Sequence, residues 1–225
     1  MKKFVFQTRP YKHQREAFDA SADLENFALL MDMGTGKTKV CLDAIGYNFE
    51  QERINLAIIV APKGVIANWV GEIETHLPER IEREIVLWKP NLTKTKRQEL
   101  KDLYEKNGKL KFLLMNVEAY STKKGVDVAG FFVKKFKVFM AVDESTTIKN
   151  RQAKRTKAIC SVGRGAVMRR ILTGSPVTKS PMDLFSQMDF LSPKILGFKS
   201  YYTFQSRYAV VQRRTMGAHS FNHVV

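Results

Sequence analysis

Short, unbroken apolar runs alternate with stretches of helical period along this chain. Phe27 to Met31, Leu56-Ala-Ile-Ile-Val-Ala-Pro62, Lys111 to Val117, Lys137-Val-Phe-Met-Ala-Val-Asp-Glu144 and Arg170-Ile-Leu-Thr-Gly174 are the runs. Their length and lack of polar alternation suit strands buried on both faces of a sheet. Glu84 to Trp88 adds a further strand. Between them, Arg15 to Ala22 reads as a short amphipathic helix, and a helical pattern follows Thr38 and runs through Ile45. Gly64 to Leu77 puts Val65, Trp69, Ile73 and Leu77 on one stripe. Thr95 to Asn107 is a charged helix closed by Asn107-Gly108. Val126 to Phe136, Gln152 to Val162, Pro181 to Leu191 and Lys199 to Tyr208 complete the helices, and Ala209 to Val225 shows no clear element. Strands alternating with helices predict an α/β fold, a mainly parallel sheet with helices on both faces.

Such sheets bind ligands at the carboxyl ends of their strands, and the residues there change the picture. After Phe27 to Met31 come Gly34, Thr35, Gly36, Lys37 and Thr38, and then a helix. Strand, glycine turn, Gly-Lys-Thr and helix make the layout of a P-loop. The glycines let successive N–H groups face one point at a helix N-terminus, where the dipole favours an anion. Lys37 would reach the β- and γ-phosphates of ATP, and the Thr38 hydroxyl would ligate Mg²⁺. The usual pattern has glycine five residues before Gly36; this chain has Met31. A second strand ends in Asp143-Glu144. Paired with a P-loop, the first acid would hold Mg²⁺ and the second would polarise the attacking water.

Charge adds a partner. The 225 residues carry a formal net charge of +16, which attracts polyanions, nucleic acid above all, with an anionic membrane surface as the other taker. The cations concentrate in the second half, at Lys123-Lys124, Lys134-Lys135, Lys137, Lys149, Arg151, Lys154-Arg155, Lys157, Arg164 and Arg169-Arg170. About a third of them are expected on DNA, the rest on a solvated face. Cys41 and Cys160 lie far apart, inside predicted helices, which suits a reducing compartment without a disulfide framework or zinc site. Met1-Lys-Lys-Phe-Val-Phe6 has no long apolar core, so no secretory signal is expected, and no apolar run approaches a membrane span. A cytoplasmic protein, at the nucleoid or in a nucleus according to its source, is the expectation. His13 reads as a surface or packing residue, and Trp69 and Trp88 as core more than as stacking platforms.

Five segments in order carry a resemblance: Arg9-Pro-Tyr-Lys-His-Gln14, MDMGTGKT at 31–38, IIVAPKGVIANW at 58–69, VDESTTIKN at 142–150 and ILTGSPVTKSPMDLF at 171–185. Together they resemble the first RecA-like domain of superfamily-two helicases, and the Swi/Snf-like branch in particular, whose members are typically double-stranded-DNA translocases. The resemblance implies a RecA-like P-loop NTPase domain over 1–206. Residues 207–225 would be a tail or the start of a linker to a second RecA-like domain in cis. It implies that Gln14 reads the adenine edge, that Gly34 to Thr38 bind phosphates and Mg²⁺, and that Asp143 and Glu144 take the metal and water roles. It places Lys63, Asn68, Trp69 and Lys149 near DNA. Thr173, Gly174 and Ser175 would couple the ATP state to DNA grip. Thr146 stands where the branch usually has histidine, which puts the link between hydrolysis and movement in question. The implied function is an ATP-hydrolysing, DNA-dependent motor domain acting on duplex DNA without sequence preference. An ATP-gated DNA-binding module without its own turnover and a protein-remodelling P-loop ATPase are the other classes.

Overall fold

A computed structural model describes residues 4–91, 93–105, 107–216 and 219–224. The first residues of Met1 to Phe6, the Lys106 portion of the predicted 95–107 helix, and Gly217, Ala218 and Val225 of the tail lie outside the described residues. In chain order the elements begin α1 (Lys12–Ser21), β1 (Asn26–Leu30), α2 (Lys37–Glu50), β2 (Leu56–Ala61), α3 (Asn68–His76), β3 (Arg83–Leu87), α4 (Lys94–Asp102) and β4 (Leu110–Asn116). They continue with α5 (Lys123–Lys135), β5 (Val138–Asp143), α6 (Lys154–Gly163), β6 (Met168–Thr173), α7 (Asp183–Leu191), α8 (Tyr201–Tyr208), β7 (Val211–Met216) and β8 (His219–Val224). Two 3₁₀ turns, Val117–Ser121 and Ser145–Ile148, follow β4 and β5.

Six strands form one sheet in the order β1-β6-β5-β2-β4-β3, and every pair in it is parallel. β2 and β5 are buried along their whole length, which explains why their sequences are continuously apolar. On one face, Val40, Leu42, Ile45, Trp69, Ile73 and Leu77 of α2, α3 and the residue after it pack on Ala57, Ile59 and Ala61 of β2. On the other, Ile58 and Val60 meet Ala129, Phe132, Ile159, Phe190 and Leu191 from α5, α6 and α7. Fully burying each such large side chain stabilises the fold by about 1.5–3 kcal/mol.

Three expectations change. The stretch before α3 is a set of tight turns from Pro62 to Asn68, so the helix starts later. Its buried stripe uses Ile66, 5% exposed, with Val65 only half-buried. The predicted helix at 95–107 ends as α4 at Asp102 and unwinds into turns through Leu103, Tyr104 and Glu105. The tail, where the sequence shows no clear element, forms an antiparallel hairpin of β7 and β8 in which Arg213 pairs with Asn222. Among the described residues no helix is long and apolar enough to cross a membrane.

Candidate nucleotide site and its connections

β1 stops at Leu30 and α2 begins at Lys37. The turn between them needs left-handed backbone at Gly34 (φ 75°) and Gly36 (φ 82°), a region only glycine enters readily. Met31 takes the place of the usual first glycine without strain for a visible reason. Its side chain packs against the core beneath β1, while its carbonyl faces the loop and accepts from Lys37 Nζ at 2.9 Å. The same ammonium donates to the Asp32 carbonyl at 2.9 Å. A cation thus sits in the mouth of the turn, beside helix-opening N–H groups that have no carbonyl within the helix to bond. Thr38 is half-buried on the first turn of α2.

Helix α1 holds this loop from outside. Gln14 Nε2 and His13 Nε2 each lie 3.0 Å from the Thr35 carbonyl. Gln14 Oε1 accepts from the Tyr11 backbone N–H at 3.0 Å. Gly36 must be glycine for a second reason, since a Cβ there would stand 2.3 Å from Gln14 Nε2. Both ends of the Gln14 amide are therefore engaged, leaving one N–H and one lone pair without a partner in these two bonds. His13 is exposed, as expected of a surface or packing residue, and its ring packs on the loop carbonyl; no spacing or motif in the sequence signals that contact.

Asp143 ends β5 and Glu144 follows it, close enough to α2 for the Lys37 charge to act on Asp143. Burial pushes the Asp143 carboxyl up. Hydrogen bonds from Trp69 and from the Glu144 N–H, together with Lys37, pull it back, and the net direction is upward. Trp69 Nε1 donates to Asp143 Oδ2 at 3.0 Å, and the Glu144 N–H donates to Oδ1 at 2.9 Å. Each carboxylate oxygen keeps a lone pair for a cation. Glu144 is half-buried and left-handed, φ 47° and ψ 60°, a strained conformation for a residue with a Cβ. One turn into α2, the buried Cys41 thiol is pushed up to about 12 by burial, with Arg170 opposing and Asp143 adding.

Motif residues at the end of β6 complete the convergence. A Cβ on Gly174 would come within 3.3 Å of Met33 N and 3.4 Å of Met31 O, so this segment lies directly on the P-loop backbone. Thr173 is buried and its hydroxyl accepts from the Ser175 N–H at 3.2 Å. The turn after Glu144 is tied to the same region. Ser145 Oγ donates to Gln187 Oε1 at 2.6 Å, and Gln187 Nε2 donates to the Pro176 carbonyl at 2.7 Å. Ser186 Oγ donates to the carbonyls of Ile148 and Lys149. Thr146, where the branch has histidine, is half-buried on this turn.

Two of the residues expected near DNA make contacts within the protein. Trp69 is 1% exposed, in the core with Ile73 and Leu77 as its stripe predicts, and its indole N–H points at Asp143; it positions the carboxylate. Lys149 Nζ is engaged with Thr178 Oγ1 and lies 3.6 Å from Asp183, so it forms a strut between the turn after β5 and the loop after β6. Burial raises Asp183, but hydrogen bonds from Thr178 and Lys179 and the Lys149 charge outweigh it and hold the carboxyl below its usual range. Lys63 and Asn68 are exposed on the rim after β2, as a DNA contact needs. Arg170 leaves the basic surface altogether. It is 0% exposed and donates to the carbonyls of Ser21, Leu24, Glu25 and Arg169. Arg169 reaches the carbonyls of Leu191 and Gly163.

A family model described as the SNF2-related domain matches residues 13–224. A probable ATP-dependent DNA helicase, CHR12 of Arabidopsis thaliana, is 30% identical over 172 residues, 76% of this chain and 14% of that protein. The human DNA annealing helicase and endonuclease ZRANB3 is 29% identical over 166 residues, 74% of this chain and 14% of that protein. Among solved structures, the Sulfolobus solfataricus SWI2/SNF2 ATPase core in complex with dsDNA superposes with a TM-score of 0.70 at 21% identity, covering 92% of this chain and 40% of that one. The chain therefore spans a small part of the length of the relatives it matches.

Proposed function

Because the chain belongs to the SNF2-related domain family, we propose that it is the first RecA-like domain of an ATP-driven motor that tracks on duplex DNA. The observation that carries this reading is the meeting of three segments at one end of the sheet. The Lys37 loop, Asp143-Glu144 and the Gly174 segment touch or act on one another. The donor set fits a nucleoside triphosphate with a divalent cation: helix-opening N–H groups and an ammonium for the phosphates, and a buried carboxylate with free lone pairs for the metal. Mg²⁺ would supply charge neutralisation between phosphate oxygens. Thr38 and Asp143 would hold it, and Trp69 and the Glu144 N–H keep Asp143 oriented. Lys37 leaves its two carbonyls for the β- and γ-phosphates, and Glu144 orients the attacking water and takes its proton.

Movement on DNA follows from the connections. A shift at the P-loop is felt at once by Gly174, and a shift at Glu144 is passed through Ser145 and Gln187 to Pro176. Lys63 and Asn68 face the duplex from the same sheet end, without reading bases. The neighbour bound to dsDNA supports the choice of partner. A second RecA-like domain in cis would close the site and supply arginine to the γ-phosphate. The test is ATP turnover with and without duplex DNA, in a natural chain carrying both domains, for wild type, Lys37→Ala and Glu144→Gln. Turnover stimulated by DNA and abolished in both variants supports the motor. DNA binding that ignores ATP, with no stimulated turnover, would favour a binding module instead.

A further inference from the structure

Beside the Lys149 strut lies an arginine seated on an aromatic ring with unengaged donors. Arg151 follows the 3₁₀ turn after β5 and is half-buried. Its guanidinium carbon stands 3.9 Å from the ring centroid of Tyr201 and 5.3 Å from that of Tyr202. Tyr201 is braced in turn by Phe185 of α7, edge-on at 5.2 Å. The start of α8 is fixed by a reciprocal Ser200–Thr203 cap. Among the described residues Arg151 makes no hydrogen bond and no ion pair, whereas Arg80 and Arg83 are each engaged with a glutamate.

That combination selects a ligand class. Stacking on a ring holds the guanidinium flat and leaves its N–H donors directed outward in the plane. An arginine so prepared matches an oxyanion that accepts two parallel hydrogen bonds, a phosphate above all. Beside it opens a cleft of about 470 Å³ lined also by Asn150, Gln152, Gln205 and Tyr202. Asp183 is the acid lining that cleft, and it is already engaged with Thr178, Lys179 and Lys149. It does not compete for Arg151. Tyr202 is 69% exposed and its ring centroid lies 5.3 Å from the guanidinium carbon. The +16 charge of the chain draws a polyanion to it.

We propose that Arg151, held flat on Tyr201, anchors one backbone phosphate of duplex DNA, with Tyr202 walling the adjoining sugar. The proposal rests on the DNA-tracking reading above and adds to it a phosphate anchor beside Lys149, which lines the same cleft.

The experiment is a salt titration of the 225-residue chain on a labelled duplex of mixed sequence. Wild type is compared with Arg151→Ala, Arg151→Gln and Arg151→Lys, with Lys63→Ala as a second phosphate-binding position and Lys109→Ala as a remote control. Melting curves accompany each. Removing one phosphate-binding cation should lower the slope of log affinity against log salt by about 0.9. Arg151→Gln keeps a planar group on the ring, so it should retain the fold and show the lower slope. Arg151→Lys should keep the slope and bind several-fold more weakly, because an ammonium cannot make the paired hydrogen bonds. Wild-type slope and affinity in Arg151→Gln, with Lys63→Ala reduced, would leave the DNA reading standing and make Arg151 a staple for α8 only, overturning the proposal. No salt-dependent duplex binding by wild type would overturn both.

Discussion

Trp69→Phe isolates one hydrogen bond at the metal-facing carboxylate. The indole N–H lies 3.0 Å from Asp143 Oδ2 in a buried setting, and phenylalanine keeps most of the ring while removing the donor. A hydrogen bond to an ionised group contributes about 1.5–3 kcal/mol. Burial already pushes Asp143 up, and Trp69 is the largest of the influences opposing it. Its loss favours the protonated acid further. Mg²⁺-dependent nucleotide affinity should fall by about 10- to 100-fold, at about 1.4 kcal/mol per tenfold. The deficit should be greatest on the acid side and shrink as pH rises through the higher folded-state pKa. Stability moves with opposite sign. A carboxyl raised on folding stabilises the native state at low pH, and that contribution is lost as pH climbs from the unfolded to the folded pKa; the substitution leaves the lower edge of this window in place and moves its upper edge upward. Titrations of a fluorescent ATP analogue, with and without Mg²⁺ across the acid to neutral range, measure the effect. Wild-type Mg²⁺ dependence and pH profile, beside a lowered Tm, would show that Trp69 only fills space.

Other substitutions separate structure from chemistry. Glu144→Gln should bind ATP and stop turnover, and Lys37→Ala should lose productive binding, read by nucleotide affinity and single-turnover hydrolysis. Gln14→Ala should cost about 1–3 kcal/mol of nucleotide affinity by freeing the Thr35 carbonyl. If ATP and GTP lose equally, Gln14 braces the loop; if ATP loses more, it reads adenine. Arg170→Leu should destabilise the fold by roughly 3 kcal/mol or more through carbonyls left without donors, with no change in the DNA salt slope, by thermal melting and duplex titration. The chain alone should bind Mg²⁺-ATP yet turn it over about 10³–10⁵ more slowly than one completed by a second domain's arginine.

The strand and helix order was legible because double burial leaves β2 and β5 with no polar position to mislead. The Lys37 loop and the acidic pair were legible because their chemistry needs particular residue types at particular spacing. What side chains do at long range was not. Arg170 beside Arg169 has the composition of a basic surface, and only the pairing of β1 with β6 shows that it satisfies carbonyls inside. Trp69 was legible as core from its stripe with Ile73 and Leu77, but its hydrogen bond to Asp143, 74 residues away, was not. The Lys149–Asp183 pair was not legible either, because Asp183 comes from a helix distant in sequence. The hairpin was missed because its strands pair with each other and not with the sheet, so they lack the apolar runs of doubly buried strands.

Biosynthesis meets the sheet order as a delay. Strand β1 carries the Lys37 loop and is made before the other strands of the sheet, yet it pairs with β6, the last of them to be made. Arg170 bolts that closure by reaching the Ser21 carbonyl 149 residues away in sequence. Closing so long a loop costs on the order of 4 kcal/mol in chain entropy. On the ribosome, β2, β4 and β5 can assemble while β1 still waits for its neighbour. The phosphate-binding loop therefore becomes ordered late, and a nascent chain stopped before Thr173 should not retain ATP. Nucleotide capture then marks the moment at which the sheet closes.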